Sequence, residues 1–261
     1  MLGVSANDFA NRIRAREQLI GYWVVMDAPV ATERIARLGY DYVVLDGQHG
    51  LLGYQGLLNG LLAVDAGAAL GGGGTVGMVR VEANHPTPIG RALDAGATGV
   101  IVPLVDNSAD VTRAVQAAKY PPAGVRSFGP TRASLRIGPV PADADAATVV
   151  LAMIETPLGL KNVAEICATP GLDGIYVGPS DLGLSVGARF PGDPEVEGPF
   201  EEAVALIART AQEAGVAAGI HTQDGQSARR RLSQGYTFAT VASDLSHLEA
   251  SAAAHLDTAR S

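Results

Sequence analysis

The sequence has little cysteine, little positive charge and no long apolar run, and each shortage excludes a class of protein. One cysteine among 261 residues excludes an internal disulfide framework. Lys and Arg number 19 against 27 Asp and Glu, a net charge of -8. Without a basic cluster, a nucleic-acid or anionic-membrane partner is not expected, because phosphate binding needs clustered positive charge. No stretch of 18 apolar residues suggests a membrane span, and the first 18 residues do not resemble a signal peptide. We expect a cytoplasmic protein.

What the sequence does contain is a repeated alternation of short apolar runs with longer Ala-rich amphipathic stretches, typical of parallel β/α units. Near-continuous apolar strands predict a sheet that helices cover on both faces. About eight runs suggest a closed (β/α)8 TIM barrel, formed as a single domain by residues 1–261. The predicted strands are Leu19–Met26, Tyr42–Asp46, Val76–Val81, Gly99–Pro103, Val149–Glu155, Gly174–Gly178, Val216–His221 and Tyr236–Ala242.

Polar residues occur selectively at the ends of these runs, where a (β/α)8 barrel carries its active site. The seventh run ends in His221, which could face the same site. The residues of interest are Asp46-Gly47-Gln48-His49 after the second run, Arg80 in the third, Glu155 at the end of the fifth and Gly178-Pro179-Ser180-Asp181 after the sixth.

Glu155 and Asp181 follow neighbouring strands, so their carboxylates are candidate ligands for one hard divalent cation. Mg²⁺ or Mn²⁺ suits such oxygen ligands, and Co²⁺ is less specifically favoured. The alternative is structural: each carboxylate could cap a helix or pair with an arginine.

His49 is a candidate general base that the neighbouring carboxylate of Asp46 could orient, although a histidine after a strand is often only polar surface. Arg80 lies within Met78-Val79-Arg80-Val81, so its charge must be desolvated or point into a polar cavity. There it could bind a carboxylate or an enolate oxygen. Trp23, in the first strand, is either core or pocket lining.

Taken together, six segments in register resemble the HpcH/HpaI aldolases, the class II pyruvate aldolases of the phosphoenolpyruvate/pyruvate barrel superfamily. The resemblance runs from about Gly21 to Ala242. It rests on Asp46-Gly47-Gln48-His49-Gly50, Val79-Arg80-Val81, the stretch from Arg91 to Pro103, Tyr120-Pro121-Pro122-Ala123-Gly124-Val125-Arg126, Ile154-Glu155-Thr156 and Val177-Gly178-Pro179-Ser180-Asp181-Leu182.

The resemblance implies a metal-dependent aldolase that joins pyruvate, or a close 2-oxo acid such as hydroxypyruvate, to an aldehyde, with no organic cofactor. By position, Glu155 and Asp181 would bind the metal, Arg80 would stabilise the enolate oxygen, and His49 would be the base or would orient a base water. Asp94 matches the acidic partner of that histidine. Substrate contacts are implied for Trp23, Gln48, Gly178, Pro179, Ser180 and Asp181, with the Ser180 and Asp181 amides holding the substrate carboxylate.

Two alternatives remain: a CoA-ester lyase of the same superfamily and a non-catalytic barrel that binds 2-oxo acids. An imine-forming aldolase is disfavoured, because the only lysines, Lys119 and Lys161, lie in helix-like stretches. Gln48 and Met153 depart from the Glu and Gln that members acting on hydroxy-oxo-diacids tend to carry, which leaves the acceptor aldehyde open.

The resemblance also implies a homo-oligomer, a hexamer or trimer of dimers, in which residues 242–259 form a C-terminal helix exchanged between subunits. That helix could equally pack on its own barrel. Arg126, Phe128 and Arg132, in the long segment after Tyr120, could contact the distal end of a substrate or a neighbouring subunit.

Overall fold

The predicted barrel is confirmed by a computed structural model, which describes residues 6–261. Eight parallel strands follow one another in sequence order, and β1 pairs with both β2 and β8 to close the sheet. Residues 1–5 lie outside the described residues. They belong to the N-terminal stretch that is not expected to be a signal peptide. The strands are β1 Leu19–Val24, β2 Tyr42–Asp46, β3 Val76–Arg80, β4 Gly99–Val102, β5 Val149–Ile154, β6 Gly174–Val177, β7 Ala217–Thr222 and β8 Phe238–Ser243.

Strand positions follow the apolar runs closely because every strand is covered by helices outside and by side chains inside. All residues of β2 and β5 are buried. The prediction for β2 is confirmed at both ends, whereas the eighth strand begins two residues after Tyr236. Tyr236 instead donates a hydrogen bond from its hydroxyl to the Val204 carbonyl oxygen at 2.9 Å.

Helices occupy most of the chain between the strands. The helix Glu197–Ala214 ends at Gly215, whose φ of 75° is a left-handed conformation that suits glycine. The helices are α1 Ala6–Arg14, α2 Pro29–Ala36, α3 Tyr54–Leu70, α4 Pro86–Asp94, α5 Ser108–Ala118, α6 Ala133–Arg136, α7 Pro141–Ala147, α8 Pro157–Lys161, α9 Val163–Cys167, α10 Pro179–Ser185, a 3₁₀ helix Pro194–Val196, α11 Glu197–Ala214, α12 Gly225–Ser233 and α13 Asp244–Arg260.

One end of the barrel is closed and the other is open. Helix α1 covers the amino ends of the strands, where Phe9 and Ile13 are buried in the same apolar cluster as Tyr42. The carboxyl ends form the open end, which we call the mouth. Within residues 6–261 no helix combines the length and apolar character needed to cross a bilayer.

The long segment after Tyr120 includes two short helices, α6 and α7. Arg126 donates to Asp94 at 2.6 Å, and Arg132 forms an ion pair with Asp65 on α3. Phe128 is exposed and packs its ring against Tyr120 at 5.6 Å. Within one chain, the two arginines therefore tie this segment to the outer helices.

Candidate active site

A buried ion pair joins the ends of β2 and β3 at the mouth. The strand register places Asp46 directly beside Arg80. The guanidinium is bidentate, with Nε donating to Asp46 Oδ1 at 2.9 Å and Nη2 to Oδ2 at 2.5 Å. Asp46 is 1% exposed and Arg80 8%. Arg80 is therefore fixed at the mouth, and among the described residues its Nη1 has no hydrogen-bond partner.

The Asp46 carboxylate also accepts three further hydrogen bonds. Trp23 Nε1 donates to Oδ2 at 3.2 Å, and the backbone amides of Gln48 and His49 donate to Oδ1 at 3.0 and 3.1 Å. Burial alone would raise the pKa of Asp46, but the hydrogen bonds and charge of Arg80, with the other donors, lower it. Asp46 is consequently a positioning group held ionised, and it contacts the His49 backbone rather than the imidazole.

Trp23 forms the floor of the mouth. Its indole stacks on Tyr176 with ring centroids 5.8 Å apart, and the Arg80 guanidinium lies over it at 5.0 Å. The residue is 6% exposed. Trp23 is therefore both core, through Tyr176, and a lining residue beside the Asp46–Arg80 pair.

Glu155 follows the last residue of β5 and is 2% exposed. Its Oε1 accepts the Leu104 amide at 2.8 Å, an amide aimed by a left-handed backbone at Leu104 with a φ of 55°. Such a conformation costs a non-glycine residue about 1–2 kcal/mol. Burial and, after it, the charge of Asp181 raise the pKa of Glu155, against lowering effects of the Leu104 amide and Arg80. A buried carboxylate without a directly paired cation is a suitable metal ligand.

Glycine at position 178 keeps the second oxygen of Glu155 accessible. A Cβ there would lie 2.7 Å from Glu155 Oε2 and 2.9 Å from the Met153 methyl carbon. Gly178 caps α10, whose first turn carries the exposed residues Ser180 and Asp181. Among the described residues no three His, Cys, Asp or Glu side chains cluster to hold a metal. A cation at Glu155 and Asp181 would therefore depend on water or substrate for its other ligands.

The remaining predicted residues near β2 are more open. His49 is exposed, and no hydrogen bond from residues 6–261 holds its imidazole. Gln48 is half-buried, and its Oε1 is buried without a hydrogen-bond partner in the described part of the chain. Leu51 and Leu104, in the loops after β2 and β4, are exposed on the same side of the barrel.

Asp94 lies away from the mouth in its own chain. It is the last residue of the nine-residue helix α4, which starts after the carboxyl end of β3 and spans about 13 Å. Its carboxylate accepts a hydrogen bond from Arg126. A pairing of Asp94 with His49 is thus not formed within one chain.

His221 is near the end of β7 and faces the mouth, where the sequence pattern predicts its position but no role for it. Its ring contacts the Trp23 ring edge-on, with centroids 5.3 Å apart and an interplanar angle of 72°. Its strand-end position was the available sequence signal, but the contact with Trp23 depends on barrel closure. His85, by contrast, caps α4 by accepting the Thr87 amide.

Comparison with known proteins gives consistent matches along the chain. Residues 19–250 match the family model described as HpcH/HpaI aldolase/citrate lyase. A hydroxypyruvate/pyruvate aldolase from Rhizorhabdus wittichii is 39% identical over 231 residues, 88% of this chain and 89% of that protein. A 5-keto-4-deoxy-D-glucarate aldolase from Salmonella paratyphi C is 34% identical, covering 97% and 96%. The crystal structure of an HpcH/HpaI aldolase/citrate lyase family protein from Burkholderia cenocepacia superposes with a TM-score of 0.87 at 31% identity, covering 98% of this chain and all of that one.

Proposed function

Since this chain belongs to the HpcH/HpaI aldolase/citrate lyase family and is an aldolase, a carbon–carbon lyase, we propose that it catalyses a reversible, divalent-metal-dependent aldol reaction. The nucleophile is pyruvate or hydroxypyruvate, and the acceptor is an aldehyde. The observation that carries this proposal is the placement of buried Glu155 and the fixed Arg80 at one mouth.

Glu155 and Asp181 suit a hard cation, with Mg²⁺ or Mn²⁺ favoured and Co²⁺ possible, because Glu155 Oε2 is kept clear by Gly178 and both donors are carboxylate oxygens. A cation bound there would supply Lewis acidity that lowers the cost of removing a proton from C3 of a 2-oxo acid. The exposed first turn of α10 offers the Ser180 and Asp181 amides to the substrate carboxylate, since first-turn amides have no partner within a helix.

Arg80 stabilises the negative charge that develops on the substrate's 2-oxo oxygen as the C3 proton leaves. Two of its guanidinium nitrogens bind Asp46, so the free Nη1 is the donor for that oxygen. Because the pair is already buried and aligned, little reorganisation is needed when the charge forms. Trp23 provides the apolar surface beneath the reacting carbons, and Gln48 supplies a polar group beside them.

His49 is the base that takes the C3 proton, or it orients the water that does so. Its imidazole is exposed and free of protein partners among the described residues, as a group exchanging protons with substrate requires. Asp94 can pair with it only from a second copy of the chain, because the two residues lie toward opposite ends of one barrel. Asp94→Asn should then slow proton exchange in the oligomer without altering metal affinity.

We propose a homo-oligomer, a hexamer or trimer of dimers, to which α13 contributes. Almost the whole of α13 is exposed, including Leu245, Leu248 and Leu256. Exchange of this helix between subunits would cover those leucines. Light scattering after size-exclusion chromatography tests the assembly, and deletion of residues 245–261 should shift it to smaller species.

The deciding experiment is proton NMR of pyruvate in D₂O with EDTA-stripped protein, before and after addition of Mg²⁺, Mn²⁺ or Co²⁺ at low concentration. We expect metal-dependent loss of the methyl signal, which Glu155→Gln abolishes and the matched exposed control Glu202→Gln on α11 retains. Absence of exchange with every metal, in folded protein, would contradict the proposal and favour the CoA-ester lyase or the binding-only barrel.

A further inference from the structure

An unpaired imidazole nitrogen lies in the wall of the mouth, on a strand that is otherwise buried. His221 is the one half-buried residue of β7, and its ring rests edge-on against Trp23 at 5.3 Å. Its Nδ1 is buried and has no hydrogen-bond partner among residues 6–261. Buried polar side-chain atoms are normally paired, so this nitrogen needs an explanation.

The imidazole of His221 is neutral near pH 7. Burial, together with the positive charge of Arg80, lowers its pKa to about 4, and the negative charge of Asp46 only partly offsets this. A neutral imidazole has one donor and one acceptor nitrogen. It therefore suits a neutral partner such as a hydroxyl group, which can donate to one tautomer or accept from the other.

An apolar residue would fill the same wall without leaving a buried nitrogen unpaired. Leucine has a volume close to that of histidine, and the neighbouring side chain is the indole of Trp23. Nothing in the packing of β7 therefore requires an imidazole. A ligand atom that reaches the ring would account for it.

The next step rests on the proposed function and concerns where C3 of the substrate points. The register of β6 and β7 pairs Val177 with Ile220, so His221 lies level with Gly178 at the start of the carboxylate-binding segment. The carbonyl carbon of a 2-oxo acid is planar, with its carboxylate, its oxygen and C3 in three directions. With the carboxylate at α10 and the oxygen facing Arg80, C3 would point toward the rings of Trp23 and His221, which are in contact.

We propose that His221 recognises the hydroxyl group on C3 of hydroxypyruvate and so makes the enzyme favour hydroxypyruvate over pyruvate as its nucleophile. The two acids differ only by that hydroxyl. The hydroxyl group of hydroxypyruvate gives the buried Nδ1 of His221 a hydrogen-bond partner. The methyl group of pyruvate cannot form a hydrogen bond, so it leaves that nitrogen without a partner. His221 is a specificity-determining residue, and it takes no proton in the reaction.

Binding is measured through Trp23, the single tryptophan of the chain, whose ring contacts His221. Its fluorescence is titrated with hydroxypyruvate and with pyruvate in the presence of Mg²⁺ and without an aldehyde, after correction for ligand absorbance. We expect His221→Leu to weaken hydroxypyruvate binding about tenfold, which corresponds to about 1.4 kcal/mol. Pyruvate binding should change by less than about twofold, because pyruvate makes no hydrogen bond to the ring.

Two further variants test whether weaker hydroxypyruvate binding comes from the loss of a hydrogen bond or from a change in the shape of the pocket. His221→Asn keeps a polar group near the position of Nδ1 and should restore part of the preference. Gln212→Leu, on the exposed face of α11, is the control for replacing a polar side chain with leucine and should behave as the unaltered protein. Circular dichroism checks that each variant is folded. An equal loss for both acids in His221→Leu, or no loss for either, would overturn the proposal.

Deuterium exchange at C3 of both acids, followed by NMR in the same variants, distinguishes this inference from the proposed function. We expect the ratio of hydroxypyruvate to pyruvate exchange rates to fall about tenfold in His221→Leu. If the unaltered protein exchanges both acids and the ratio does not move, the assignment of His221 fails while the aldolase proposal stands. If the unaltered protein exchanges neither acid with any metal, both proposals fail.

Discussion

Replacing Asp46 with asparagine removes the negative charge from the buried pair while keeping the size of the side chain. The carboxylate accepts five hydrogen bonds, three on Oδ1 and two on Oδ2. In either orientation of the new amide, its NH₂ group faces at least two N–H donors. Asp46→Asn therefore leaves the Arg80 charge buried, uncompensated and opposed by another donor.

The size of this effect follows from the burial of both partners. Removing one member of a buried ion pair typically costs about 3–5 kcal/mol, because the other charge stays desolvated. Folded proteins are stable by only about 5–15 kcal/mol, so we expect Asp46→Asn to lower the free energy of unfolding by a large fraction. Proton exchange at C3 should also slow markedly, since Arg80 loses the contacts that aim it.

Urea unfolding followed by circular dichroism measures the stability change, with Asp143→Asn at an exposed position of α7 as the matched control. The pKa of Asp46 is lowered in the folded state, so its stabilising contribution is present above its ordinary pKa of 3.8 and is lost as the pH falls through the folded value. The difference in unfolding free energy between the unaltered protein and Asp46→Asn should accordingly shrink in strong acid. A loss below about 1 kcal/mol at pH 7, with unchanged exchange, would refute the conclusion that Asp46 holds Arg80.

Three further predictions concern the other side of the mouth. Glu155→Gln should weaken Mg²⁺ binding at least about tenfold by calorimetry, and an unchanged affinity would remove Glu155 from the metal site. Gly178→Ala should also weaken Mg²⁺ binding and lower the unfolding free energy by about 1–3 kcal/mol, because the new Cβ would lie 2.7 Å from Glu155 Oε2. Mg²⁺ affinity and stability equal to those of the unaltered protein would contradict this geometry. The imidazole resonances of His221 should titrate with a pKa of about 4 and stay constant from pH 6 to 8. Because the unfolded chain takes up that proton first, His221 should reduce stability as the pH falls from its ordinary pKa of 6.5 toward 4, and a midpoint near 6.5 would argue against its burial.

The barrel was predictable because its strands are buried on both faces and so carry an apolar pattern that needs no knowledge of their partners. Placement of Asp46, Arg80, Glu155 and Asp181 at one mouth followed from the same pattern, since the carboxyl ends of parallel strands share one end of a barrel.

Pairings between side chains were not predictable, because they depend on register and on closure. Asp46 was expected to orient the His49 ring, yet the register of β2 and β3 commits its carboxylate to Arg80. The left-handed backbone at Leu104 has no glycine to signal it, and the loop alone imposes it. The isolation of the His221 nitrogen likewise depends on how Trp23 packs against β7.

Trp23 and the Asp46–Arg80 pair beside it are buried and tolerate substitution poorly, whereas the exposed loops around the mouth tolerate it well. A substitution at any of these three residues disturbs the packing of β1, β2 and β3 together, because the three side chains contact one another. Exposed loop positions such as Leu51 tolerate substitution at a cost usually within about 0.5 kcal/mol. A mutant library confined to exposed loop positions such as Leu51, with Gln48, His49 and Leu104 kept, should therefore stay folded and keep proton exchange at C3, while the range of accepted aldehydes drifts.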